Sequence, residues 1–259
     1  MMTCFSGSSR KLIIEVNLLV TIFLLVSCSR SSEQYTEITP NVTESTEMTQ
    51  EANTSPLTEE LLRERWLNGQ PCQPPCWEGI IPGKTTAIEA MSILEKNNII
   101  SSLSITDDPG SGVQSGHVEW EIILDDTKPY KGEALFDLDS PNQFIFAIRP
   151  GFPNTTLEEL IQKLGTPTHI LADYYQPPDA ENHFWELNVI WMEKGISFTT
   201  GGKEPAPTIN EALILESVIY FEPSVERFLE LWNPRRPDGL TVWKGYGEFS
   251  KYLEYLETK

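Results

Sequence analysis

The side chains of this 259-residue chain that could carry chemistry are four cysteines, three histidines and 38 carboxylates. Cys72 and Cys76 enclose Gln73-Pro74-Pro75. A pair so spaced can close a disulfide, stay as thiols or supply half of a metal site. A thioredoxin-type redox centre needs two intervening residues, and this pair has three. A zinc site would need two further ligands, and no histidine lies nearby. His117, His169 and His183 are isolated in the sequence and read as strand-edge or surface residues. Gly79-Ile80-Ile81-Pro82-Gly83-Lys84-Thr85 imitates a phosphate loop but has three residues between its glycines instead of four, so it reads as a turn. Asp137-Leu138-Asp139-Ser140-Pro141-Asn142 has the look of a calcium turn without the EF-hand glycine or distal Glu, and a hairpin is the simpler reading. Glu119 and Glu121 could in principle share acid/base work of the glycosidase type, although in so acidic a chain chance proximity accounts for them. No Gly-x-Ser-x-Gly elbow or His-Glu-x-x-His helix occurs. The reading therefore assigns no catalytic residue, no metal ligand and no cofactor.

The elements that would hold these groups begin with an address. Arg10 and Lys11 precede an apolar run over 18–26 that ends at Ser27 and Cys28. A spanning helix needs roughly 20 apolar residues, and extending this run backward meets Asn17 and Glu15. Leu25-Val26-Ser27-Cys28 resembles the lipobox of bacterial lipoprotein precursors. That resemblance implies cleavage before Cys28, a diacylglyceryl and acyl (palmitate-type) anchor on it, and a mature chain facing outside the cytoplasm at the cell membrane. An ordinary secretory signal and an uncleaved anchor are the alternatives. Stable attachment needs more than one acyl chain.

With Cys4 in the signal segment and Cys28 lipidated, Cys72 and Cys76 are left in an oxidising compartment, where a disulfide is the expected state. Free thiols remain the alternative. Residues 29–56 are rich in Ser, Thr and Glu with no apolar period, so they cannot bury enough surface to fold. They read as a tether spanning roughly 30 Å as a flexible coil. Asn41-Val42-Thr43 and Asn53-Thr54-Ser55 match the glycosylation pattern, which has no meaning in a bacterial lipoprotein. The formal charge of −19 disfavours nucleic acid and anionic headgroups as partners and suits a soluble exported domain.

From residue 57 onward the chain reads as two halves, 57–150 and 151–259, after a signal segment over 1–27 and a lipidated tether over 28–56. Thr86 with Glu89, and Thr156 with Glu159, each form a Thr-x-x-Glu capping box, and the two starts lie 70 residues apart. The first predicts a helix to about residue 97, the second a helix to 164. Strands are predicted over 118–124, 133–138 and 144–149, and again over 184–192, 196–200 and 213–221. Val118, Trp120, Ile122 and Leu124 alternate with Glu119 and Glu121, and Trp185, Leu187, Val189 and Trp191 alternate with Glu186 and Asn188. One face packs and the other is at least partly wet. Further helices are predicted over 58–68, 224–232 and 246–257, and 107–112 reads as a turn. The fold class is α+β: an antiparallel sheet with helices on one face, in two tandem helix-plus-meander repeats.

Pro82-Gly83-Lys84-Thr85-Thr86 and the run Thr155 to Pro167 resemble the helix openings of SmpA/OmlA and beta-lactamase-inhibitor-protein-like modules. That resemblance implies helices against a small antiparallel sheet, at times in tandem copies presenting a concave surface to another protein. The string from Cys72 to Thr86 also resembles a segment of uncharacterised lipoproteins of Chloroflexi-like bacteria, which brings no activity with it. Two functions from different classes follow: a noncatalytic binding or envelope-interaction module using the open sheet face, with a protein partner there, or an exported hydrolase whose carboxylates come together in the fold.

Overall fold

The computed structural model describes residues 57–108, 115–124, 129–176, 181–232 and 239–253. Cys28, the signal segment and the tether lie outside the described residues. Among the described residues, four α-helices accompany an antiparallel sheet of nine strands and two short ribbons, an α+β arrangement. No helix among them is long and apolar enough to cross a membrane.

Local signals set the helix starts. Helix α1 (Glu59–Leu67) is capped by Thr58, whose hydroxyl accepts from the Leu61 amide. Helices α2 (Ala87–Leu94) and α3 (Leu157–Leu164) open on the two predicted capping boxes. Thr86 and Thr156 each accept from the amide three residues on, while Glu89 and Glu159 accept from the cap amides. These amide bonds hold both carboxyls below the usual range. Helix α4 (Val225–Trp232) starts after Ser224, whose hydroxyl accepts from the Arg227 amide.

The large sheet uses β1 (Ile100–Asp108), β2 (Ser115–Ile122), β3 (Tyr130–Asp137) and β4 (Ile145–Arg149) as one meander. It continues with β6 (His169–Tyr175), β7 (Phe184–Trp191), β8 (Ile196–Lys203), β11 (Ser217–Phe221) and β12 (Leu240–Val242). Their order across the sheet is β1-β2-β3-β4-β11-β8-β7-β6-β12. The ribbons pair β5 (Thr155–Thr156) with β10 (Ile214–Leu215), and β9 (Thr208–Ile209) with β13 (Gly247–Glu248).

One sheet face carries Val118, Trp120, Ile122, Leu187, Val189 and Trp191, buried with Leu62, Trp66, Ala90, Leu94, Leu157 and Leu160 of α1, α2 and α3. Trp77 stacks on Trp120 at 4.9 Å between centroids, with Trp66 edge-on to Trp77 at 5.6 Å. Each such pair adds roughly 0.5–1.5 kcal/mol beyond the area it buries.

Three expectations are corrected here. The helices do not all lie on one face: Phe228 of α4 packs in a second cluster with Leu135, Ala147, Ile190, Ile219 and Phe221, whose positions alternate with those of the main core. β7 and β11 are apolar on both faces at this end, so the second face of the sheet is wet only in part, as expected. Strands β1 and β6 were not expected, and β1 takes Asp107 and Asp108 out of the predicted turn over 107–112, whose remainder lies outside the described residues. In place of a helix over 246–257, Gly247 at φ 145° joins β13, a 3₁₀ turn covers Phe249–Tyr252, and 254–259 lie outside the described residues.

Candidate binding cleft on the polar face of the sheet

Opposite the main core, the register aligns polar side chains into rows. Ser104 faces Glu119, Glu119 faces Glu133 and Glu133 faces Arg149, so one row crosses β1 to β4. A second row runs from Ser102 through Glu121 to Lys131. Two glutamates directly opposed across a strand pair repel. Glu133 escapes by turning away: its carboxylate accepts from Arg149 Nη1 at 2.7 Å and lies 2.9 Å from His117 Nδ1. Burial pushes the Glu133 carboxyl up, but the hydrogen bonds and charges of Arg149 and His117 outweigh it and hold the group below its ordinary value. Glu119 has no ion-pair partner among the described residues.

The rows end in an opening. β4 pairs with β11 through Tyr220↔Ile148 and Phe221↔Ala147. Beyond that point Ser217 and Val218 of β11 pair with β8, while the chain after Arg149 turns away at Gly151. Gly151 sits at φ 72°, and a Cβ there would run into the Lys131 carbonyl, so glycine is needed for the exit. Phe152 then enters the core, 5.3 Å from Trp66 and 5.6 Å from Phe198 between centroids. Where the two strands separate lies a cleft of about 1080 Å³. Trp120, Gly132, Phe152 and Val218 also line it, and its charged walls are Glu119, Glu121, Glu133 and Glu216 against Lys131 and Arg149. Tyr130 stands at its rim with its hydroxyl pushed up to about 12 by burial and by the nearby Glu59 carboxylate. Farther along the same face, burial and the neighbouring Asp173 raise Glu186, outweighing Asn188 and Arg149.

Under the cleft, a buried clamp fixes its aromatic support. Glu78 accepts from Trp66 Nε1 at 2.8 Å, Arg65 Nη2 at 2.6 Å and Asn97 Nδ2 at 2.9 Å. This joins α1 to the turn carrying Trp77 and to the end of α2. Cys72 and Cys76 are disulfide-bonded, bracing the loop that leads into that turn. The turn over 79–85 behaves as read: the Ile81 amide donates to Thr85 Oγ1 and Thr86 opens α2.

The other singled-out residues fall in different places. Glu119 and Glu121 both stand in the cleft wall. His117 is not isolated: Ser115 Oγ lies 3.4 Å from its Nε2, and Glu133 holds its Nδ1. Alternation could have put Ser115 and His117 on one face, but only the register of β2 with β3 brings in Glu133. His169 Nδ1 lies 2.9 Å from Thr168 Oγ1, and burial lowers its proton affinity. His183 stacks on Tyr174 and lies 3.4 Å from Glu204. Asp137 to Asn142 form a hairpin turn in which Asp137 Oδ1 accepts from the Asp139 amide. No group of three or more His, Cys, Asp or Glu is placed to hold a metal ion among the described residues. Comparison with family models, curated proteins and solved structures finds no match.

Proposed function

We propose that this chain is an extracytoplasmic lipoprotein, attached to the cell membrane through lipid on Cys28, whose globular part binds a protein partner in the cleft on its polar sheet face without catalysing a reaction. The observation that carries the binding role is the cleft itself: about 1080 Å³ on a face whose other end is covered by α4. A polar face left open at one end and apolar under a helix at the other has the anatomy of a contact surface beside a core. The anchor rests on the apolar run ending at Cys28 and on the Ser/Thr/Glu tether, with the SmpA/OmlA and beta-lactamase-inhibitor-protein-like resemblance as further support. Tandem duplication is part of this reading: β1 to β4 follow α2, and β6, β7, β8 and β11 follow α3, each helix opening on the same capping box.

The test is capture from envelope extract by the lipidated chain. Proteins retained by the unmodified chain and lost with Ser104→Trp, which fills the cleft, support the reading. Equal retention by both refutes the cleft's role, and unchanged palmitate labelling of Cys28→Ala refutes the anchor.

A second reading has one observation in its favour. Ser115 Oγ, His117 and Glu133 follow the order nucleophile, base and orienting acid at 3.4 and 2.9 Å. It ranks behind binding because Ser115 is 6% exposed and Glu133 is already engaged by Arg149. Ester hydrolysis lost with Ser115→Ala would reverse that order.

A further inference from the structure

The two edges of the nine-stranded sheet are finished differently. β12, at one edge, is three residues long and offers little to an incoming strand. β1, at the other, is nine residues long, Ile-Ser-Ser-Leu-Ser-Ile-Thr-Asp-Asp, and is paired on one side only. From Ser102 to Thr106 it bonds to no backbone but that of β2 among the described residues. Lysine, proline and a mid-strand bulge are usual means of blocking such an edge. β1 has none of them, and its one register shift falls at its start, between Ile100 and Ser102. Residues 100–106 are uncharged in a chain of net charge −19. Ile105 stands on the core side beside Val118, yet it is 51% exposed, with no strand beyond it.

We propose that β1 pairs with β1 of a second copy of this chain, antiparallel and centred on Ser104, so that one sheet continues across two chains. The strand is complementary to itself about that centre. Leu103 of each copy falls opposite Ile105 of the other, Ser102 opposite Thr106, and Ser104 opposite Ser104. Leu103 and Ile105 lie on the core side beside Trp120 and Val118, while Ser102 and Ser104 lie on the polar side beside Glu121 and Glu119, so each face meets its own kind. Position 107 falls opposite Ser101, and no carboxylate faces another. Centring on Leu103 instead would set Ile105 opposite Ser101, and centring on Ile105 would set Leu103 opposite Asp107. A half-residue shift would set core positions against polar ones. A charged segment of another protein finds nothing on 100–106 to meet, and with only one long edge per chain the assembly closes at two.

Sedimentation of the full chain in density-matched detergent gives two chains per particle at micromolar concentration and one on dilution. Added salt strengthens the pair by screening the repulsion between two acidic copies. Ile105→Lys weakens it roughly tenfold or more, since the two-fold axis makes each substitution count twice. Ile88→Lys, at a 77% exposed position on α2, changes it less than about twofold. Register is read by mild oxidation of chains with one added cysteine, against the level of the unmodified chain. Ser104→Cys links two copies, because the two positions face each other. Ser102→Cys does not: its two positions lie four residues apart along the strand, about 13 Å, beyond the roughly 7 Å that a disulfide spans. These two variants decide the matter should Ile105→Lys fail to fold. A single-chain mass at every concentration, a pair that survives Ile105→Lys, or equal linking from positions 102 and 104 overturns the proposal. The cleft's role is read separately: a species of twice the chain's mass crosslinked from position 104 reports the edge, and any other mass reports a partner in the cleft.

Discussion

Replacing Glu78 with glutamine perturbs the clamp beneath the cleft without changing its size. Glu78 is 6% exposed and receives three donors, one of them the Arg65 guanidinium at 2.6 Å. Glutamine keeps one acceptor oxygen and turns the other into an amide that faces Arg65 or Asn97, donor against donor. Breaking a buried charge pair costs about 3–5 kcal/mol. The Arg65 side chain is 29% exposed, so water recovers part of its charge, and the lower end, about 3 kcal/mol, is expected. For a folded part of this size that is a fall of roughly 6–12 °C in Tm. Urea unfolding followed by tryptophan fluorescence measures it, since Trp66 and Trp77 flank Glu78. A double-mutant cycle with Arg65→Met separates the ion pair from the two neutral bonds. A loss below about 1 kcal/mol, the range of an exposed ion pair, would refute the view that this carboxylate fixes the turn under Trp77 and Trp120.

Three further outcomes are expected. Replacing both Cys72 and Cys76 with alanine opens a loop of five residues and should lower stability by about 2 kcal/mol on the loop-entropy relation, read as the difference in urea midpoint under oxidising conditions. Thr156→Ala removes the cap of α3 and should cost about 1 kcal/mol, again by urea midpoint. Glu133 has a carboxyl held below its unfolded value, so its contribution is present above about pH 4.3 and is lost as pH falls through the folded value. Stability should therefore drop more steeply between about pH 5 and pH 3 in the unmodified chain than in Glu133→Gln, and parallel curves would show that Arg149 and His117 do not stabilise the charge.

Much of the fold was legible where local chemistry decides it. The capping boxes at Thr86 and Thr156 name their helices because an N-cap is satisfied within four residues. The alternation in β2 and β7 names their buried faces. β1 was missed because serines and aspartates, poor strand formers, fill most of Ile100–Asp108, and pairing with β2 outweighs that preference. α4 was placed on the wrong side because Ile190, Ile219 and Phe221 break the polar alternation near one end of the sheet, and alternation alone does not say what covers them. The cleft was not legible at all. It depends on Glu119, Glu133 and Arg149 meeting across three strands and on β4 parting from β11, and both are set by long-range register. Trp77 is 1% exposed and packs edge-on to Trp66, beside Glu78 at φ 48°, a placement that its spacing in the sequence does not decide.

The central claim is that the open polar cleft, and not another surface, meets the partner. A photo-crosslinking amino acid placed at Ser104 in the cleft wall, and separately at Ile88, 77% exposed on α2, tests it in cells producing the anchored chain. The account predicts a discrete crosslinked species from position 104 and none from position 88; the same species from both positions, or none from position 104, would contradict it.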